Sequence, residues 1–341
     1  MPSTEAVPSP VPVERKRRVS RLALAIGVGA LLAIAWFLFV PPFVRFPAHP
    51  RPAADYAQAM VRLDALRATD TPDLNPVCRL VVMSHGQKRG RVVILLHGLT
   101  NCPRQFERLG QVLYDCGANV VVARIPHHGL ADRMTPDLAK LTVQELVQFG
   151  DEVVDIGQGL GDSVTVAGLS LGAVVAAWLA QERNDVDRAI VIAPVFGVPQ
   201  VWPPLTPGLT RFFLWIPNQF PWWDDKLREN VLGPPYVYPR FSTHALGEAL
   251  LLGQAIGVAA RRGAPAARSI TLVTVGGDHA ISNPAARAIE RAWRAHAAGR
   301  VTEYEFPQAL KLGHDLIDPL QPYQRVDVVY PVLGDLMLGA R

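Results

Sequence analysis

Cysteine is scarce in this sequence of 341 residues. It holds three cysteines, Cys78, Cys102 and Cys116, and no pair spaced C-x-x-C. Three cysteines exclude a small scaffold built on a disulfide framework. Cys102 and Cys116 are predicted near opposite ends of one helix, too far apart to bond at a rise of about 1.5 Å per residue. Cys78 can pair with either of them, but three small buried thiols are the favoured interpretation.

Charge is also sparse, at 19% of the residues, and the net charge is only +4. Much of that excess comes from one basic cluster at residues 15–21, so the sequence indicates no nucleic-acid-binding face. The nearest thing to a metal site is His127 and His128 with Asp132, whose spacing matches no usual set of ligands. We therefore predict neither a metal nor a cofactor. The hydrophobic content of 49% allows a large core and excludes wholesale disorder.

What the sequence does contain is one long apolar run, Leu22 to Val40, without a charged residue. Its length is about that needed to cross a bilayer, and Trp36 and Phe37 lie toward its far end, where aromatic side chains favour the interface. We expect an uncleaved transmembrane anchor at residues 22–40. A cleaved signal peptide and a buried helix of a soluble protein are the alternatives. The basic residues before the run predict a cytoplasmic amino terminus, with everything after residue 40 outside.

The remainder of the chain divides by composition. Residues 1–21 are predicted to form a disordered basic amino terminus. Residues 41–75 are rich in Pro and Ala and are interpreted as a linker that carries one short helix near residues 56–67. Residues 76–341 are expected to fold as one domain. In that domain β-rich runs alternate with helical periods, which predicts a mostly parallel sheet with helices on both faces, an α/β architecture.

The most informative stretch is Gly168-x-Ser170-x-Gly172, between a short β-rich run and an Ala/Val/Leu run with helical spacing. This pattern in this context is typical of a nucleophile elbow, a serine on a sharp strand-to-helix turn. The turn is so tight that side chains at the flanking glycines would collide with neighbouring backbone. The first amides of the next helix point to the same place and can stabilise an oxyanion. An ordinary Gly-Ser turn is the alternative.

Other reactive side chains follow predicted strands, where open α/β sheets bind their ligands. They are His97-Gly98, Asp278 and His314. The chain order Ser, Asp, His, together with the elbow, resembles the α/β-hydrolase fold over roughly residues 80–340. The resemblance is nearest to the membrane-anchored or secreted esterases and monoacylglycerol-lipase-like enzymes of that superfamily.

The resemblance implies a role for each matching residue. Ser170 would be the nucleophile, His314 its base, and Asp278 the carboxylate that orients the imidazole. The amides of Leu99 and Leu171 would form the oxyanion hole. The hole and elbow would be shaped by His97, Gly98, Gly168 and Gly172. His279 is the nearest rival base, and Asp315 is a weaker alternative acid.

Strand and helix stop alternating between residues 197 and 262, where this family usually inserts a cap over the site. Pro is dense there, and the segment contains four tryptophans, Trp202, Trp215, Trp222 and Trp223. This composition favours a rigid apolar lid over a pocket for an acyl chain. A well-packed helical excursion is the alternative.

The sequence therefore predicts a serine hydrolase that cleaves carboxylic esters, lipid-like esters among them, through an acyl-enzyme intermediate. A thioesterase or acyltransferase would use the same three residues. A membrane-tethered binding protein that has lost turnover is an alternative of a different class. The predicted partners are an ester substrate and the membrane, with the domain outside the cytoplasm, or secreted if the apolar run is cleaved.

Overall fold

A sheet of seven strands forms the centre of the protein. The computed structural model describes residues 13–42, 44–224, 233–321 and 324–339. The strands lie in the order β1-β3-β2-β4-β5-β6-β7. All neighbours are parallel except β1 with β3, so the predicted mostly parallel sheet is confirmed. The strands are β1 (Val81–Met83), β2 (Arg89–Leu96), β3 (Asn119–Ala123), β4 (Gly161–Leu169), β5 (Arg188–Ile192), β6 (Ile270–Val275) and β7 (Val301–Phe306).

Helices cover both faces of this sheet, as predicted. The third and the last helix contact each other and cover one face of the sheet. The fourth, fifth and eighth helices pack against the strands on the opposite face. The α-helices of the described residues are α1 (Val13–Phe39), α2 (Tyr56–Arg67), α3 (Arg104–Asp115), α4 (Val143–Leu160), α5 (Leu171–Glu182), α6 (Thr206–Trp215), α7 (Thr243–Ala260), α8 (Asn283–Ala297) and α9 (Val326–Leu338).

The register of β2 and β4 sets the position of the candidate site. The apolar side chains of residues 92–96 in β2 are fully buried, as expected for a central strand covered on both faces. Leu96, the last residue of β2, pairs with Gly168 near the end of β4. The residues that follow these two strands, His97 and Ser170, therefore emerge side by side at the carboxyl edge of the sheet.

The segment interpreted as a linker packs against the domain over much of its length. The amide of His49 donates to Asp151 at 2.7 Å, and that of Arg51 donates to Asp155 at 2.8 Å. Both carboxylates also bind the fully buried guanidinium of Arg183. The prediction that residues 41–75 form a linker needs correction, because residues after the apolar helix are bonded to the domain and do not form a free spacer. Nothing in the local composition indicates these long-range partners.

The apolar run forms the greater part of α1. The stretch Arg21–Phe39 has a mean hydropathy of 2.5 and none of it is buried within the protein, so it is long and apolar enough to cross a membrane. The helix begins at Val13, so residues 13–21, which were predicted to be disordered, are helical. Lys, Arg and Glu are good helix formers, so the basic cluster can extend an apolar helix. Residues 1–12 lie outside the described part of the chain.

Two of the three cysteines form a disulfide, which makes the interpretation as three free thiols wrong. Cys78 bonds Cys102, with 5.3 Å between the Cα atoms, and Cys116 is free and exposed. Cys78 belongs to a short 3-10 helix before β1, whereas Cys102 lies just before α3. Only the packing of the two loops brings these positions together, so their separation of 24 residues does not predict the bond.

The excursion after β5 is shorter than predicted. Its described residues comprise a 3-10 helix at Pro203–Leu205, α6 and segments without regular secondary structure, and residues 225–232 lie outside the described part of the chain. We call residues 197–242 the insertion. Helix α7, which follows, packs on α5 and α8 and buries Leu246 and Leu250. It therefore belongs to the helical layer of the domain, and the predicted boundary at residue 262 is corrected to residue 242.

Candidate active site

Ser170 occupies a strained turn between β4 and α5. Its backbone has φ 58° and ψ −111°, a combination that residues with a side chain rarely adopt. A Cβ atom at Gly168 would lie 2.1 Å from the carbonyl oxygen of Gly172, and one at Gly172 would lie 2.1 Å from that of Leu96. Glycine is thus required on both sides of the serine. The tight strand-to-helix turn that the sequence predicted is present.

The loop after β2 and the start of α5 each carry a backbone amide without a hydrogen-bond partner in the described part of the chain. Within the described residues, the N–H groups of Leu99 and Leu171 have no hydrogen-bond partner. Leu171 is the first residue of α5, so its amide has no partner within the helix. Leu99 belongs to the loop after β2, where a Cβ atom on Gly98 would lie 3.7 Å from that of Ser170. Such amides can stabilise negative charge on a substrate oxygen.

His97 holds the shape of this loop and takes no part in proton transfer, because both of its ring nitrogens bind backbone groups. Its Nε2 accepts a hydrogen bond from the amide of Ile125 at 3.1 Å, so the ring proton is on Nδ1, which donates to the carbonyl of Gly98 at 2.9 Å. Burial lowers the pKa of His97 well below its ordinary value, so the ring stays neutral. The carbonyl of His97 accepts from the amide of Gly172 at 3.1 Å and joins the loop to the elbow.

A disulfide and two further hydrogen bonds also hold the loop after β2 in place. The disulfide fixes Cys102, and Nε2 of His128 lies 2.6 Å from the carbonyl oxygen of Leu99. The amide of Tyr238, from the insertion, donates to the carbonyl of Thr100 at 2.8 Å. The direction of the Leu99 amide is therefore fixed before any substrate binds.

His314 and Asp278 form a hydrogen-bonded pair at the same edge of the sheet. Nδ1 of His314 lies 2.7 Å from Oδ2 of Asp278, and the other carboxylate oxygen accepts from the amide of Ala280 at 2.8 Å. Asp278 follows β6, and its side chain is fully buried. His314 follows β7, and its side chain is 24% exposed. Since Nδ1 binds the carboxylate, Nε2 is the ring nitrogen left for proton transfer.

Each member of this pair shifts the pKa of the other. Burial acts to lower the pKa of His314, but the hydrogen bond and charge of Asp278, with the charge of Asp315, outweigh it and raise that pKa above its ordinary value. Burial acts to raise the pKa of Asp278, yet the bond to His314 leaves it lower than usual. Asp278 is therefore a stable anion, and His314 is a stronger base than a free histidine.

The rival base predicted from the sequence has no such partner within the described residues. His279 is exposed and takes part in no hydrogen bond or ion pair there. The alternative acid, Asp315, is directed to a different set of groups. Its Oδ2 accepts from the side-chain amides of Asn101 at 2.9 Å and of Gln105 at 2.7 Å.

These amides reveal a connection that the sequence reasoning missed. Oε1 of Gln105 accepts from the amide of Gly98 at 2.9 Å, while Nε2 of the same side chain donates to Asp315. One glutamine therefore joins the loop that carries Leu99 to the loop that carries His314. Burial, together with the charge of Asp318, raises the pKa of Asp315 to about 6. No spacing in the sequence marks Gln105, which looks like any polar residue on an amphipathic helix.

We expect Gln105→Leu to lower both stability and turnover. It removes the acceptor of one buried amide and a donor to a buried carboxylate, each worth about 1–3 kcal/mol. The free energy of unfolding, measured in urea, should fall by that order. The rate constant of a reaction at Ser170 should fall roughly tenfold, because the Leu99 amide is displaced. Gln111→Leu on the same helix, where the amide makes only an exposed bond to Asp115, is the control. Equal effects of the two changes would refute the role given to Gln105.

The four tryptophans of the insertion divide into two pairs. The indole N–H of Trp223 donates to the hydroxyl of Thr100 at 3.0 Å, and its ring contacts that of Phe241 in a tilted arrangement, with centroids 4.5 Å apart. Trp222 is half-buried and pairs through its backbone with Arg240. Trp223 therefore contacts the loop after β2.

The other pair corrects that prediction. The ring of Trp202 is 64% exposed and lies 6.4 Å from the ring of Phe39 at the end of α1. Trp215 ends α6 and is 82% exposed. Side chains this open line no enclosed pocket. The Trp and Pro content of residues 197–262 predicted one apolar lid. Composition could not show that Trp202 lies beside the end of α1 and away from such a lid.

Comparison with known proteins places the chain in one family. The sequence profile of the Alpha/beta hydrolase family matches residues 93–327. A thermostable monoacylglycerol lipase from Bacillus sp. (strain H-257) is 25% identical over 122 residues, which are 34% of this chain and 45% of that enzyme. The chain thus aligns with less than half of this relative's length.

Solved structures are similar over a larger part of the chain. The monoacylglycerol lipase of Paleococcus ferrophilus has a TM-score of 0.57 at 16% identity, over 76% of this chain and 97% of that one. A soluble variant of monoglyceride lipase from Saccharomyces cerevisiae, solved with a substrate analogue, has a TM-score of 0.53 at 14% identity, over 73% and 86% of the two chains. At these identities the likeness is one of fold.

Proposed function

Because the chain belongs to the α/β-hydrolase family, we propose that it is a serine esterase in which Ser170 attacks the carbonyl carbon of a carboxylic ester. One observation carries the proposal. The strained serine and the bonded pair of His314 and Asp278 follow strands of one parallel sheet, at the edge where such sheets bind ligands. The free amides of Leu99 and Leu171 beside the serine add to it.

In the proposed reaction, Nε2 of His314 removes the hydroxyl proton of Ser170 as Oγ bonds the ester carbon. The carbonyl oxygen becomes an oxyanion that accepts hydrogen bonds from the amides of Leu99 and Leu171. Collapse expels the alcohol, which takes the proton from His314 and leaves an acyl-enzyme. Water then repeats the sequence and releases the acid. Asp278 keeps the ring in the correct tautomer and stabilises its charged form.

Esters of longer acyl chains are the proposed substrate class. The relatives that share the fold include enzymes named as monoacylglycerol lipases, although the identity to them is 25% or less. In this chain, the ring of Trp223 contacts that of Phe241 and is bonded to Thr100, one residue from Leu99. Such an apolar surface next to the reacting carbonyl favours an acyl chain over a charged group.

The experiment for this proposal is a series of nitrophenyl esters of increasing acyl length, with matched thioesters. We expect hydrolysis of the esters, and a burst of nitrophenol that reports the acyl-enzyme. Trp223→Ala should change the preference among acyl lengths more than the rate on the acetate ester. Trp293→Phe, a milder change at a buried ring of α8, should not alter that preference. If no ester in the series is hydrolysed, the proposal fails, and faster cleavage of the thioesters would reassign the enzyme as a thioesterase.

We also propose that α1 anchors the enzyme in a membrane with the domain outside the cytoplasm. The apolar stretch Arg21–Phe39 is long enough, and the basic residues before it indicate a cytoplasmic amino terminus. The disulfide between Cys78 and Cys102 gives independent support, because such bonds persist in oxidising compartments and are rare in the cytosol.

Alkaline phosphatase fused after Arg341 should therefore be active in bacterial cells, since this reporter works only when exported. The fused protein should remain with the membrane fraction at high salt and be released by detergent. A matched fusion in which residues 15–18 are replaced by serine should lose part of its activity, because the positive charge that sets the orientation is weakened. An inactive fusion of the unmodified chain would place the domain in the cytoplasm. An active, soluble one would indicate a cleaved signal.

A further inference from the structure

The insertion is attached to the end of α1. The guanidinium of Arg211, on α6, donates to the carbonyl oxygens of Phe37 and Val40, the latter at 2.6 Å. It also lies over the ring of Trp36, 4.7 Å from the centroid. The carbonyl of Phe37 belongs to the last turn of α1 and that of Val40 directly follows the helix, so no further residue of α1 can satisfy either of them. The contact thus fixes α6 beside the carboxyl end of the apolar helix.

The two faces of α6 differ in what they contact. Thr210, Phe213 and Leu214 face α7, where Thr210 accepts a hydrogen bond from Gln254 and the other two approach Gly247. Arg211 and Trp215 lie one turn apart on another face, the one that carries the contact with α1. Phe212, beside them, is 48% exposed.

Three aromatic residues of the insertion are exposed, Trp202, Phe212 and Trp215, and we call them together the aromatic patch. Their side chains are 64%, 48% and 82% exposed. Large aromatic side chains this exposed are uncommon on a surface in water, and a group of them marks an interaction site. The ring of Trp202 contacts that of Phe39, so this member of the patch adjoins the apolar surface of α1.

We propose that the aromatic patch rests in the outer leaflet of the membrane that α1 crosses, so that the insertion is a second membrane contact of the enzyme. The inference depends on the anchoring proposed above. The apolar stretch ends at Phe39, so this residue marks the level of the interface. The ring of Trp202 is 6.4 Å away, which puts it at the depth where tryptophan is enriched in membrane proteins.

The chemistry of the patch fits a bilayer better than a protein partner. Tryptophan is amphipathic, and its ring favours the headgroup region over either water or the hydrocarbon. Arg211, the charged group of this face, directs its donors to the last carbonyls of α1, so no acid on a partner is needed to pair with it. A protein docked on the patch would moreover have to share the space with the bilayer that surrounds Trp36 and Phe39.

The same insertion contacts the candidate site. Trp223 donates to Thr100, and Tyr238 binds the backbone of that residue. The membrane contact and the loop that carries the Leu99 amide are therefore joined through one segment. The enzyme is thereby held in one orientation on the membrane, with the insertion against the lipid, and its substrate class is an ester that resides in the outer leaflet.

Quenching of tryptophan fluorescence by brominated lipid tests the contact. The full chain is reconstituted in phosphatidylcholine vesicles with and without dibromo acyl chains. We expect a quenchable emission from Trp36, Trp202 and Trp215, and a loss of about two-thirds of it in the double variant Trp202→Phe, Trp215→Phe, since two of three interfacial rings are removed. Trp293→Phe, which removes a buried ring on α8, is the control and should leave the quenchable emission unchanged.

A loss in the double variant no larger than in the control would overturn the inference, even if the protein associates through this patch with a partner or with a second copy. Trp215→Phe alone, at a side chain that is 82% exposed, allows the same comparison if the double variant does not fold. The readout does not require turnover, so it is independent of the proposed esterase activity. If even Trp36 escapes quenching, α1 is not in the membrane, and the anchoring proposal fails together with this one.

Discussion

Replacement of Ser170 by alanine is expected to lower the rate constant for ester cleavage by a factor of about 10⁵–10⁶. The change removes the only atom that would bond the substrate carbon. What remains is the slow attack of water assisted by the amides of Leu99 and Leu171. Alanine keeps the Cβ atom, and the flanking glycines that make the turn possible are untouched, so the fold should persist. The rate is measured with a nitrophenyl ester under single-turnover conditions.

The control for this variant is Ser163→Ala, at the other end of the same strand. Ser163 is half-buried and lies seven residues before the elbow, so its hydroxyl can be removed without altering the turn. Its turnover should equal that of the unmodified enzyme. Circular dichroism and the thermal midpoint should be the same for both variants. Undiminished turnover in Ser170→Ala would remove the basis of the proposed function.

His314→Ala is expected to cost nearly as much as the change at Ser170, since the members of such a unit do not act independently. Asp278→Asn should cost about 10⁴-fold, because an asparagine stabilises the wrong tautomer of the ring. His279→Ala is the matched control and should be almost silent, since that neighbouring ring is exposed. If His279→Ala inactivates the enzyme and His314→Ala does not, the base is misassigned.

The pH dependence of the same variants gives an independent result. In the proposed mechanism only neutral His314 accepts the proton of Ser170, so activity should rise with pH as the ring deprotonates. The charge of Asp278 raises the pKa of His314, so the midpoint of kcat/KM should lie above about 6.5, the value of an unperturbed histidine. Asp278→Asn removes that charge, and the midpoint of its residual activity should move to lower pH. A midpoint that stays in place would mean that another group controls the profile.

The features that sequence predicted correctly are local ones. The glycines at 168 and 172 are required by contacts within a few residues of Ser170, so a short pattern is sufficient to identify the turn. Strands β6 and β7 have the predicted bounds because each is a short β-rich run between helical periods. The order of Asp278 and His314 along the chain places both at one sheet edge once the sheet is parallel.

The features that sequence missed depend on distant segments. The Cys78–Cys102 bond and the role of Gln105 both arise where loops separated along the chain pack together. The dependence on distant segments also explains why Trp202 and Trp215 were wrongly predicted to line a pocket. Trp202 and Trp223 have similar local composition, but one faces the end of α1 and the other faces Thr100. No periodicity in the sequence distinguishes these environments.

The measurement that tests the central claim most directly is labelling of the purified chain with a fluorophosphonate, followed by mass spectrometry of its peptides. This reagent phosphonylates a serine hydroxyl only where a base and oxyanion donors activate it. We expect one modified peptide, with the label on Ser170, at a rate that falls sharply in His314→Ala and is unchanged in His279→Ala. A label on any other residue, or unmodified Ser170 after prolonged exposure of the folded chain, would contradict the assignment of Ser170 as the nucleophile.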